Sequence, residues 1–200
     1  SAASDVYKRQ VLISLDGTEN KARLGANAML GVSMACLRAA SPRALWEHIA
    51  GDGQSSIPVP QMNILNGGAH AASNVDIQEF MVVPHGFNSF SDALRAGVEI
   101  YHSLKSVLKE EGLLGGIGDE GGFAPNLPRN EDGLRLVLSA ISGAGYTPGE
   151  QVSIALDCAA QEFCHDDGYH IDGGVLSGSE LGQLYSSWLD NYPCLLYTSP

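Results

Sequence analysis

The sequence has few cysteines, few basic residues and no long apolar run. Its four cysteines form no Cys-x-x-Cys pair and have no paired spacing with histidine, which argues against a zinc site and against a disulfide framework. No segment approaches the about 20 apolar residues that a membrane span needs, and the N-terminus lacks the apolar region of a signal peptide. These absences predict a cytoplasmic protein with reduced thiols and no membrane span.

The charge is strongly acidic, because 11 basic residues stand against 23 acidic ones and give a net charge of −12. Such a balance argues against nucleic acid and anionic membranes as partners and favours metal cations. With 200 residues and 44% hydrophobic content, the chain is long enough for one sizeable globular domain, or for one domain and part of another.

A glycine-rich acidic stretch, residues 115–125, reads Gly-Gly-Ile-Gly-Asp-Glu-Gly-Gly-Phe-Ala-Pro. Its glycines predict turns with positive φ or a close approach of the backbone to a ligand. The spacing matches the Gly-x-Gly-x-x-Gly phosphate loop, but Asp119 and Glu120 have the wrong charge for phosphate. The loop suits a cation or a proton donor, and a solvated acidic turn is the alternative.

Both ends lack a helix or strand period and look foreign, so residues 1–10 and 194–200 are interpreted as tails that are not native. Apolar residues at helical spacing predict a helix over 20–40, with a small-residue face buried on more than one side. A second helix is predicted over 43–50, and 51–56 reads as a linker. The predicted domains are therefore 11–56 and 57–193.

Beyond the linker the pattern alternates between strands and helices. A strand is predicted over 75–83, where Glu79 lies on an apolar face, and Gln78 would point the other way unless a bulge or strand end intervenes. Three helices are predicted: one over 90–111, one that begins after Asn130 as its cap, and one over 179–192. The apolar run 152–156 predicts a strand buried on both faces, directly followed by Asp157. In parallel α/β architectures ligands lie beyond the carboxyl ends of strands, so Asp157 is interpreted as a site residue, with a turn cap as the alternative.

Several of these stretches together resemble the enolase family. The resemblance covers about residues 12–193 in order, and its motifs are specific. They are Leu-Asp-Gly-Thr-Glu-Asn-Lys from Leu15, Gly-Ala-Asn-Ala from Gly25, Asn-Gly-Gly-Ala-His from Asn66, Asp-Ile-Gln-Glu-Phe from Asp76, Gly-Asp-Glu-Gly-Gly-Phe-Ala-Pro-Asn from Gly118 and Leu-Asp-Cys-Ala from Leu156. The resemblance implies an α/β fold: the first part of an enolase-type, TIM-like barrel, preceded by the last helices of an N-terminal α+β domain.

The resemblance also implies a site. Glu120 matches the general acid, Asp157 a ligand of Mg²⁺, and His70, Gln78 and Glu79 match residues near the substrate. A neighbouring acid and burial by the glycine loop are expected to raise the pKa of Glu120 so that it carries a proton.

The implied activity is that of a glycolytic lyase, the reversible dehydration of 2-phosphoglycerate to phosphoenolpyruvate, in an enzyme that is a homodimer when full length. The lysine base and further Mg²⁺ carboxylates of the family are expected beyond Pro193, so the chain is interpreted as an inactive fragment of such an enzyme. The alternative is a non-catalytic acidic module that binds a divalent cation or a protein partner.

Overall fold

The computed structural model describes residues 2–53 and 55–197, with the side chains of 9–53 and 55–194. The chain divides into two compact units, Ser1–Ser56 and Ile57–Pro200. The domain bounds predicted at 1–10, 11–56, 57–193 and 194–200 remain predictions. Among the helices in the described residues, none combines the length and the apolar character that crossing a membrane requires.

The described part of the first unit is helical. Its helices are α1 (Ala2–Asp16), α2 (Ala26–Ala40) and α3 (Leu45–Ala50). Helix α1 includes residues 2–10, for which the sequence predicts no helix. The small-residue face of α2 is not buried as predicted, since no residue of this helix is buried.

The helix predicted over 20–40 begins later because the preceding backbone closes a turn on Asp16. The Asp16 carboxylate accepts hydrogen bonds from Thr18 N at 3.0 Å and Leu24 N at 2.7 Å. Lys21 and Gly25 have φ values of 62° and 81°, in the left-handed region that an α-helix excludes. The local carboxylate contacts therefore override the helical period of this stretch.

The second unit is a mixed α/β structure with a six-stranded sheet, a three-stranded sheet and three long helices. Its strands are β1 (Met62–Asn66), β2 (Glu79–Val83), β3 (Gly116–Ile117), β4 (Phe123–Ala124), β5 (Ser153–Asp157), β6 (Cys164–His165), β7 (Gly168–Ile171), β8 (Gly174–Leu176) and β9 (Cys194–Tyr197). Its helices are α4 (Phe90–Glu110), α5 (Glu131–Gly143) and α6 (Gly178–Asn191).

The larger sheet has the strand order β3-β4-β1-β2-β5-β9, and β6, β7 and β8 form the smaller one. Strand β2 runs antiparallel to both of its neighbours, β1 and β5. In contrast, β1 is parallel to β4, and β5 is parallel to β9. The direction of β2 matters for the site because its first residue lies beside the last residues of β1 and β5.

The strand predicted over 75–83 exists only from Glu79 onward. Val75 and Ile77 are buried, 3% and 0% exposed, but they precede the ladder. The backbone N–H groups of Asp76 and Ile77 donate to Asn130 Oδ1 at 2.8 and 3.0 Å instead of to a neighbouring strand. The side chain of Asn130, the residue before α5, therefore accepts from the backbone N–H groups that a longer strand would use.

Asn130 precedes α5 as predicted, but its side chain does not cap the helix. Its Oδ1 accepts from the two backbone N–H groups, and its Nδ2 donates to Asp76 Oδ2 and Asp172 Oδ1, both at 2.7 Å. Asn130 is 1% exposed, and these hydrogen bonds satisfy both polar atoms of its buried side chain. Through these hydrogen bonds Asn130 links the segment before β2 to the turn between β7 and β8.

Strand β9 lies in the segment 194–200, for which the sequence predicts no strand. It pairs in parallel register with β5, Ile154 opposite Cys194 and Asp157 opposite Tyr197. Strand β9 forms because it pairs with the buried strand β5, although its own residues have no strand periodicity. Residues 198–200 lie outside the described part.

The core of the second unit lies between the larger sheet and its helices. Its largest fully buried side chains include Phe80 and Leu65 from the sheet, Ile100 from α4, Leu134 from α5 and Trp188 from α6. Ser89 caps α4 as predicted, its Oγ accepting from Asp92 N at 3.1 Å. The predicted α/β fold class is confirmed in this unit.

Candidate active site at one edge of the sheet

Glu79 and Asp157 meet at one edge of the larger sheet. Glu79 is the first residue of β2, and it pairs with Asn66, the last residue of β1, and with Asp157, the last residue of β5. The predicted place of Asp157, at the carboxyl end of a buried strand, is what the structure shows. Glu79 reaches the same edge only because β2 runs antiparallel to its neighbours.

Glu120 is brought to this edge by the loop of residues 118–122, between β3 and β4. Asp119 N donates to the His70 carbonyl oxygen at 3.1 Å, and the Tyr101 hydroxyl donates to the Gly121 carbonyl oxygen at 2.9 Å. Asn63 Nδ2 donates to Glu120 Oε2 at 3.1 Å. Contacts from β1, α4 and the 68–70 turn therefore hold the loop from three directions.

The glycines of this loop are there for two reasons, of which the positive φ was predicted and the close packing against another side chain was not. Gly121 has a φ of 88°, which favours glycine. At Gly118 a Cβ would lie 2.8 Å from Asn66 Cβ, and at Gly122 it would overlap Asn66 Oδ1. The close approach is thus to the Asn66 side chain, which is completely buried beneath the loop.

His70 ends a short 3₁₀ helix, Gly68–His70, that follows β1. Its Nδ1 lies 3.2 Å from Glu79 Oε1. This contact is not a hydrogen bond, and His70 acts on Glu79 through its charge, which lowers the pKa of the Glu79 carboxyl group. One ligand atom each from His70, Glu79 and Glu120 lies within 4.8 Å of the others, so these three residues could hold a metal ion.

The electrostatics of the site single out Glu79. Burial raises the pKa of its carboxyl above the ordinary value, the charge of Glu120, a hydrogen bond with Glu120 and the charge of Asp157 raise it further, and His70 lowers it. Glu120 itself is exposed. The burial expected for Glu120 is therefore found at Glu79 instead. Glu120, the residue predicted to donate a proton, is the exposed member of the pair.

The remaining predicted residues have local roles as well. Asp157 Oδ1 accepts a hydrogen bond from Ala159 N at 3.1 Å, so it caps the following turn in addition to facing Glu79. Gln78 precedes β2, so a strand end separates it from Glu79, one of the two predicted solutions. Its carbonyl oxygen accepts from Gly67 N at 3.0 Å. The structure thus brings His70, Glu79, Glu120 and Asp157 together and places the backbone of Gln78 beside them.

Sequence reasoning missed Asn63 and Asn66. Both are amides in an otherwise apolar segment before Gly67, and that contrast was the available signal. Asn63 Oδ1 and both side-chain polar atoms of Asn66 are buried without a hydrogen-bond partner among the described residues. Unpaired buried amides are uncommon in folded proteins and mark a place where function and packing compete.

The donor set fits a hard divalent cation. Glu79 and Glu120 supply carboxylate oxygens, the ligands that Mg²⁺ prefers, and His70 adds a nitrogen. Asp157, predicted as a Mg²⁺ ligand, is not part of this close group of described residues, although it stands opposite Glu79 in the sheet. The like charges of Glu120 and Asp157 already raise the pKa of Glu79, so a bound cation would relieve their mutual repulsion.

Two family models match the chain. The model described as "Enolase, N-terminal domain" matches residues 4–48, and "Enolase, C-terminal TIM barrel domain" matches residues 54–198. Both matches extend into the segments interpreted as tails, whose origin remains a prediction. The second match alone covers more than half of the 200 residues. The order of the two matches and the mixed α/β unit with its acidic edge agree, and the chain belongs to the enolase family.

Proposed function

We propose that this chain is part of a Mg²⁺-dependent lyase that catalyses the reversible dehydration of 2-phosphoglycerate to phosphoenolpyruvate in glycolysis. The observation that supports it most is the meeting of Glu79, Glu120 and Asp157 at one sheet edge, where the pKa of Glu79 is raised. Dehydration next to a carboxylate needs a group that gives a proton and a cation that offsets negative charge. This edge of the sheet has residues suited to both.

The proposed roles follow from exposure and position. Glu120, exposed on its loop, is the general acid that gives a proton to the leaving hydroxyl, and half-buried Glu79 contacts the substrate with His70 and Gln78. Asp157 would hold Mg²⁺. When bound, Mg²⁺ supplies positive charge against the charge that develops on the substrate carboxylate.

The proposed reaction also needs a base, which the described site does not provide. Removal of the proton on carbon requires a base, and the chain has four lysines, Lys8, Lys21, Lys105 and Lys109. Lys105 and Lys109 are exposed on α4. No lysine is among the described residues that contact the Glu79–Glu120 pair. We propose that a longer chain supplies the base and that this chain alone does not turn over substrate.

The longer enzyme is further proposed to be a cytoplasmic homodimer without a nucleic-acid partner. The acidic net charge of −12 argues against a nucleic-acid partner, and the four free cysteines fit a cytoplasm. The homodimer rests on the family resemblance alone.

A non-catalytic acidic module is the second candidate, and the close grouping of His70, Glu79 and Glu120 favours it. Such a grouping could bind a divalent cation without any reaction. The two candidates differ in one respect, because only the first requires a substrate.

The test compares this chain with the longer product of the same gene. Phosphoenolpyruvate formation is followed by ultraviolet absorbance with and without Mg²⁺, and Mg²⁺ binding is measured by calorimetry. We expect Mg²⁺-dependent turnover in the longer protein and none in this chain. If the longer protein binds Mg²⁺ but forms no phosphoenolpyruvate, the module is correct and the lyase is wrong.

A further inference from the structure

Strand β1 carries two asparagines on the face of the sheet that bears the site, and a bulge puts them there. The register pairs Asn63 with Met81 and Asn66 with Glu79, and it shifts between Asn63 and Leu65. Directly opposite residues of antiparallel strands point to the same side, so Asn63 and Asn66 lie on the Glu79 side. Without the extra residue, positions 63 and 66 would face opposite sides.

The Asn63 amide is attached to the acidic loop by one contact. Its Nδ2 donates to Glu120 Oε2 at 3.1 Å across a sequence separation of 57 residues. The Asn63 Oδ1 atom is buried and has no partner among the described residues. An apolar side chain would leave no such unpaired atom, so packing alone does not explain an amide at this position.

Glu120 needs an orienting contact more than the other acids of the site. It is exposed, it lies in a loop between glycines, and a free glutamate side chain has considerable rotamer freedom. Glu79 and Asp157, in contrast, are each part of a strand. Glu79 also contacts Glu120 from a strand, but both of those side chains are carboxyl groups, whereas the Asn63 amide supplies an N–H that can only donate.

We propose that Asn63 is a positioning residue that holds the Glu120 carboxyl group by Oε2 and thereby leaves Oε1 free to act on the substrate. A protonated carboxyl group has one hydroxyl oxygen and one carbonyl oxygen, and an amide N–H pairs with the carbonyl oxygen. This inference rests on the proposed function, in which Glu120 is the general acid.

The contact also changes strength during the reaction. As the C–O bond of the substrate breaks, the proton on Oε1 passes to the leaving hydroxide, water is formed, and Glu120 becomes a carboxylate. A hydrogen bond to a charged oxygen is stronger than one to a neutral oxygen, so the Asn63 N–H stabilises the charge that develops on Glu120. Only interactions that strengthen in this way accelerate the step.

The test uses Asn63→Ala and Asn63→Asp in the longer enzyme. Two rates are measured with Mg²⁺ present, formation of phosphoenolpyruvate and exchange of the C2 hydrogen of 2-phosphoglycerate with deuterium. We expect Asn63→Ala to slow dehydration by about 10-fold to 100-fold, the usual effect of one hydrogen bond to a charged group, while exchange and KM change little. Asn63→Asp keeps the shape but cannot donate when ionised, so it should slow dehydration at least as much as Asn63→Ala.

A matched control is Asn74→Ala. Asn74 bridges to Leu127 through two hydrogen bonds of 2.8 Å, away from Glu120. It should lower the melting temperature and leave the ratio of dehydration to exchange as in the wild type. Because Asn63→Asp preserves the shape, it tests the proposal even if Asn63→Ala fails to fold.

Two outcomes overturn the proposal while the function stands. Either Asn63→Asp dehydrates as fast as the wild type, which means that the side chain only fills space, or both variants slow exchange and dehydration equally. An unmutated longer enzyme that shows neither reaction contradicts the proposed function itself, and the inference about Asn63 is then wrong with it.

Discussion

Glu79, the first residue of β2, stands directly opposite Asp157, the last residue of β5. Burial and two neighbouring acids raise the pKa of Glu79, with Glu120 acting more strongly than Asp157. Glu79 and Asp157 are thus brought together by strand direction rather than by closeness in sequence.

Glu79 should make stability depend on pH in a particular direction. Its pKa in the folded chain is above the ordinary 4.5, so the folded state binds more protons than the unfolded state between the two values. The free energy of unfolding therefore falls as pH rises from 4.5 through the folded pKa. Glu79→Gln should remove this fall, as measured by urea unfolding across the acidic range. The control is Glu110→Gln at an exposed position of α4, and equal pH dependence in both variants would contradict the raised pKa.

Glu120→Gln keeps the size and hydrogen bonding of the side chain but removes its proton. In the longer enzyme, dehydration should slow by about 10²-fold to 10⁴-fold, the usual span for a positioned general acid. Exchange of the C2 hydrogen should suffer much less, because that proton goes to a different group. Rapid-mixing measurements of both rates at saturating Mg²⁺ check this. If exchange were lost as completely as turnover, Glu120 would belong to the base or to the metal site.

Asp157→Asn should impair both reactions through the metal. Replacing a carboxylate oxygen with a neutral amide should weaken Mg²⁺ binding by at least about tenfold, since even loss of an outer contact costs that much. Calorimetric titration of Mg²⁺ into the wild type and the variant measures the change without any turnover. Asp190→Asn, at the end of α6, is the control for the loss of one negative charge. Unchanged Mg²⁺ affinity in Asp157→Asn would remove this residue from the metal site.

Gly122→Ala should destabilise the acidic loop. The added Cβ would overlap Asn66 Oδ1 and lie 3.0 Å from the Ile64 carbonyl carbon, so the loop or β1 must shift. Overpacking of this kind costs about 1–3 kcal/mol. Gly116→Ala is the matched control in the same hairpin, because its Cβ would meet nothing within 4 Å. Chemical unfolding of both variants gives the comparison, and equal stability would show that the loop has room that the structure does not indicate.

Local patterns predicted a large part of this protein. The apolar period of α4 and its Ser89 cap, the buried strand before Asp157 and the glycine loop around Glu120 are each encoded within a few consecutive residues. Such features depend on side-chain periodicity and on φ values, which the residue types themselves restrict. The motifs also indicated the family before any contact was known.

Contacts between distant segments decided the rest. β2 begins at Glu79 because Asn130, more than 50 residues later, takes the backbone donors before it. β1 presents Asn63 to Glu120 because a bulge changes its register against β2. The sequence by itself determined which residues carry charge, turn the chain or enter the core. Only the tertiary structure decided which of them meet, because hydrogen-bond partners and strand direction are properties of pairs of segments and no single segment encodes them.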